Sequence, residues 1–115
     1  MLTKEQKCAL EESILDCFEK AITPKFGENV YRVIFANFDV KFGLKKKDIV
    51  SHSKEFEQLL DEIFGTGVAS ALIKRTIFNE LANRFKIFEP LYYERSLNKD
   101  RIISRAITEI LDKAE

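Results

Sequence analysis

In SKEFEQLLDEIFG, residues 53–65, Phe56, Leu59, Leu60, Ile63 and Phe64 fall at i, i+3, i+4, i+7 and i+8, and a glycine follows directly. That spacing puts five apolar side chains on one side of a helix. It suits no strand, whose faces alternate every two residues. The same period recurs along the chain. Leu10, Ile14, Phe18 and Ile22 repeat every four residues, with Cys17 and Ala21 beside them. Tyr31, Phe35, Phe38 and Phe42 make a second stripe flanked by Val30, Val33 and Ile34. Ala69, Leu72, Ile73, Ile77 and Leu81, then Phe85, make another, and Ile103, Ala106, Ile107, Ile110 and Leu111 make the last. The sequence therefore predicts an all-α fold, a compact bundle of about five helices with a short helical turn near 45–50, in a single domain over residues 1–115.

The ends of these helices are also readable. Thr3 with Gln6 forms a capping box, and Pro24 is expected to stop the first helix, because the residue before a proline is pushed out of the helical region. Gly27 opens a helix over 28–42, and Gly43 closes it as a left-handed stop. Leu44 and Ile49 face inward from the turn LKKKDIV. Ser53 is the expected N-cap of the next helix, with Glu55 in its first turn. Residues 67–85 form the following one, Pro90 breaks the pattern over 86–97, and Asn98 caps the last.

The chain has 19 basic and 19 acidic residues. A balanced charge is no strong signal for a polyanion partner. By segment the balance alternates. Residues 1–22 carry three basic and five acidic residues, 23–50 six and three, 51–66 one and four, 67–88 four and one, and 89–115 five and six. Cys8 and Cys17 lie nine apart on one helix, about 13 Å at 1.5 Å per residue, too far to bridge. Two reduced thiols, a charged start MLTKEQK and no apolar run of membrane length predict a soluble, cytoplasmic protein.

Few residues carry chemistry. Gly65-Thr66-Gly67 lacks the preceding strand and following lysine of a phosphate loop, so it reads as a joint between helices. His52 stands between Ser51 and Ser53, yet neighbours in a loop rarely present both side chains to one another. One histidine and two separated cysteines make no metal cluster, and no cofactor is expected. Glu11-Glu12 and Asp61-Glu62 diverge by about 100° on their helices and read as solvated faces. Lys45, Lys46 and Lys47, with Lys74 and Arg75, are the basic clusters that could contact phosphates. Phe85, Phe88, Leu91, Tyr92, Tyr93 and Leu97 are more apolar than a linker requires. They read as a strap that packs the last helix, or as a protein–protein surface.

Residues 30–87 carry an aromatic-rich helix ending in Lys41 to Leu44, a lysine-rich turn at Lys46 to Ile49, and a helix with Phe56, Leu59-Leu60 and Ile63 to Gly65, then Gly67 and an apolar helix. This arrangement resembles the archaeal Nitrosopumilus output domain family over about residues 8–88. Val50 stands where that family often has proline, and Phe85-Lys86-Ile87 where it often has glycine. The resemblance implies a small helical signalling-output module with no catalytic residues to carry over.

Three functional readings follow. One is a non-enzymatic protein-interaction or signalling-output module that can self-associate through residues 89–115. Another is a nucleic-acid-associated regulator using Lys45–Lys47 and Lys74-Arg75. The third is a small-ligand binder, at the amides near Gly67 or beneath the aromatic strap.

Overall fold

The computed structural model describes residues 2–87 and 102–114, and they form five α-helices. These are α1 (Lys4–Phe26), α2 (Glu28–Phe42), α3 (Ser53–Phe64), α4 (Val68–Phe85) and α5 (Ile102–Ala114), with one 3₁₀ turn at Lys46–Asp48. No strand occurs among the described residues. α1 lies along α4 and α2, α3 bridges α2 to α4, and α5 closes the other side against α4 and α3.

Local chemistry explains most boundaries. Thr3 Oγ1 accepts from the Gln6 amide at 3.1 Å while Gln6 Oε1 accepts from the Thr3 amide at 2.9 Å, the reciprocal pair that the sequence predicts. Gly43 ends α2 with φ +67°, and its amide donates to the Asp39 carbonyl at 2.8 Å. A side chain there would sit in the left-handed region that glycine enters without cost.

Two boundaries differ from expectation. α1 does not stop before Pro24 but continues to Phe26, and Gly27 ends it with φ +100°. Pro24 only withholds one amide in the last turn, Gly27 donates to the Thr23 carbonyl at 3.0 Å, and Phe26 gains contact with the core. Ser53 is not the N-cap of α3. His52 holds that place without a side-chain cap, and Ser53 is buried inside the first turn. The chain is already turning there, because the His52 amide donates to Asp48 and its carbonyl accepts from Phe56.

Phe56 sits at the centre of the core. It has no exposure and meets Phe18 of α1 at 5.2 Å edge-on, Phe38 of α2 at 5.6 Å edge-on, and Phe35 of α2 at 5.5 Å with tilted planes. Edge-to-face rings at these separations add to burial by setting positive ring edges against negative faces. Ile14, Ile22, Ile34, Leu60, Ile77 and Leu81 complete the packing.

α4 buries Ile73, Ile77 and Leu81 as expected, but its buried face is shifted from the predicted stripe at the N-terminal half. Ala69 is exposed and Leu72 is 53% exposed, whereas Ser70, Lys74 and Phe78 are buried with Ile73, Ile77 and Leu81. The cause is position: α4 touches α1, α3 and α5, and the α3 side of that contact is polar. Val33 of α2 is likewise half exposed.

Replacing Phe56 by alanine removes the ring that three others share. Denaturant titration should show a loss of about 3–5 kcal/mol. Val33→Ala, on the exposed side of α2, should change stability by about 0.5 kcal/mol or less.

Candidate functional site

Most of the buried polar side chains among the described residues, Glu57, Ser70, Lys74 and Ser104, lie where α3 meets α4 and α5. Glu57 and Asp61 stand one turn apart on α3, so they share a face. Ser70 and Lys74 stand one turn apart on α4. The Lys74 ammonium donates to both Asp61 oxygens at 2.9 and 3.0 Å, and the Ser70 hydroxyl donates to Oδ1 at 2.6 Å. The Lys74 side chain is 5% exposed and that of Asp61 23%, so this pair is the most enclosed ion pair among the described residues.

Glu57 turns the other way, toward α5. Its Oε1 accepts from the Ser104 amide at 2.6 Å and from the Ser104 hydroxyl at 2.8 Å. Ser104 is the third residue of α5, so its amide is one of the donors left without an intrahelical acceptor at a helix start. The side chain of a different helix thus caps α5. Oε2 has no hydrogen-bond partner among the described residues. Burial pushes the Glu57 carboxyl up to about 7, against the opposing pull of the Ser104 and Ile103 amides, the Ser104 hydroxyl and the Lys74 charge.

The basic residues named from the sequence are mostly engaged. Lys74, a candidate phosphate contact from the sequence, is instead buried, because Asp61 lies opposite it across the α3–α4 contact. The Asp61-Glu62 pair diverges as expected, but only Glu62 stays at the surface, where it pairs with Lys41 of α2. Lys45 Nζ sits 2.6 Å from Asp39. Lys46 Nζ lies 5.0 Å above the Tyr31 ring and 5.7 Å from that of Phe35, within cation–π range. Lys46 and Lys47 line a groove of about 340 Å³ with Cys8, Glu11, Glu12 and Leu15. Arg75 is exposed on the side of α4 away from Lys74. The two basic clusters therefore do not converge on one anion site.

Nucleophile candidates are poorly prepared. The Ser51 hydroxyl donates to the Asp48 carbonyl, and His52 Nδ1 lies 3.7 Å from Glu55, so hydroxyl and imidazole are not paired. The Cys17 thiol is buried, and burial pushes it up to about 11, which keeps it protonated. Among the described residues no cluster of three or more metal-ligating side chains occurs.

Phe85 is half buried against the core and lines a groove of about 210 Å³ with Leu10, Ile110, Lys113 and Ala114. Phe88, Leu91, Tyr92, Tyr93 and Leu97 lie outside the described residues.

Sequence reasoning passed over Glu57 and Ser104. A positional signal exists for both. Glu57 stands three residues before Leu60 and seven before Phe64, and Ser104 three before Ile107 and seven before Leu111. Both are polar residues at helical steps from the apolar stripe.

No family model, curated protein or solved structure matches the chain. No helix among the described residues is long and apolar enough to cross a membrane.

Asp61→Ala should leave the Lys74 ammonium enclosed without its carboxylate and cost about 3 kcal/mol in denaturant titrations. The double variant Asp61→Leu/Lys74→Met should recover most of that loss, since a packed apolar pair replaces the buried ions.

Proposed function

We propose that this chain is a non-enzymatic protein-interaction module, of the signalling-output kind that the resemblance implies. It works through its last helix and the aromatic segment before it, and it can associate with a second copy of itself. The carrying observation is how α5 is held. Ile103, Ala106, Ile107 and Ile110 are buried against α4 and α3, while Thr108, Asp112 and Lys113 are exposed. An amphipathic helix laid with its apolar face on its neighbours has the form that helix-in-groove recognition uses when the helix comes from another chain, and this supports the reading.

The other polar features support the same reading because they are occupied by structural contacts. Lys74, Ser70 and Asp61 satisfy one another, and Glu57 holds α5. A nucleic-acid reading has less support, since Lys45 and Lys74 already sit on carboxylates. A cytoplasmic setting fits the two free cysteines, Cys8 and Cys17.

Light scattering over a range of protein concentrations should give a mass above one chain at the upper end. The triple variant Leu91→Ala/Tyr92→Ala/Tyr93→Ala should return it to a single-chain mass while helix content is kept. A single-chain mass for the unaltered protein at every concentration, with no cross-linked partner from its native cell, sinks the reading.

A further inference from the structure

Glu57 is 2% exposed, yet its carboxyl meets α5 at the one place where that helix has unused donors. One oxygen takes both Ser104 contacts and the other has no partner among the described residues. Among the described residues, few groups bear on it from the packed elements. On α4 there is Lys74, whose ammonium is committed to Asp61. On α3 itself Asp61 follows one turn later, and on α5 the Ile103 and Ser104 amides and the positive end of the helix dipole face it. Oε1 can accept from Ser104 whether or not Oε2 carries a proton, but ionisation leaves Oε2 as a charged, unbonded oxygen enclosed in the core.

We propose that Glu57 is a proton-operated latch on α5, holding the helix firmly while its carboxyl is protonated and loosening it on ionisation. This is regulation of the surface proposed above, and it rests on that reading for its consequence. The direction follows from burial. The docked carboxyl titrates near 7, above its value of 4.5 when free. The docked form therefore binds the proton more tightly, and the stabilisation is fully present below 4.5 and lost as pH rises through 7.

The test is hydrogen exchange at the α5 amides of the full chain, corrected for intrinsic rates. Protection should fall by about tenfold or more between pH 5 and pH 8. Glu57→Gln, which keeps an acceptor for Ser104 but does not titrate, should flatten that dependence. Ser104→Ala, which removes a donor that favours the ionised form, should move the transition to higher pH. His52→Gln should leave it in place, which separates the effect from the lone imidazole. Protection independent of pH in the unaltered chain overturns the latch, and so does a transition that stays put in both the Glu57 and Ser104 variants. Light scattering at the two pH values separates the two ideas. A latch that works while the mass stays at one chain throughout leaves this inference standing and removes self-association. Association without pH-dependent protection does the reverse.

Discussion

Two neighbouring residues on α3, the shortest helix among the described residues, hold the bundle together. Phe56 enters the aromatic cluster shared by α1 and α2, and Glu57 reaches across to the start of α5. Adjacent helix positions point about 100° apart, so one turn of α3 addresses both sides of the molecule at once. If α3 rotated on its axis, the ring would leave its three partners and the carboxyl would leave Ser104. Apolar packing and polar capping therefore specify the same orientation, which is the kind of agreement between levels that gives a chain one well-defined structure.

The polar seam beside α3 is arranged so that each charge has its own task. Lys74 is spent on Asp61, with Ser70 completing the set, while Glu57 draws on backbone donors. Buried ion pairs of this kind contribute little net stability, because desolvation offsets much of the attraction. Their value here is positional. They set which face of α4 meets α3, and they explain why Leu72 is turned out to solvent in favour of Lys74.

Much of the fold was legible because apolar spacing is a direct statement about helix faces. α2 and α3 came with clean stripes and glycine stops, and α1 with a capping box. What failed did so for identifiable reasons. Pro24 is a strong breaker in a helix interior, but in a last turn it removes only one bond, and the pull of Phe26 on the core carries α1 past it. Ala69 and Leu72 looked like core because residue type says nothing about which neighbour a face meets. Glu57 was passed over and Lys74 was grouped with the surface cations, because isolated charges nearly always face solvent. Only the third dimension shows that each has a partner waiting, on α5 and on α3.

The surface ion pairs have a further consequence. Asp16 binds Arg84 at 2.8 Å, Asp39 binds Lys45, and Glu62 binds Lys41, so acidic and basic helices cancel one another over short distances. With zero formal charge overall, little potential extends beyond a Debye length, about 8 Å at physiological salt. A protein of this kind exerts little long-range electrostatic pull. Under the interaction role proposed above, encounters would proceed by unaided diffusion, at roughly 10⁵–10⁶ M⁻¹s⁻¹, and shape and apolar fit after contact would decide how long a complex lasts.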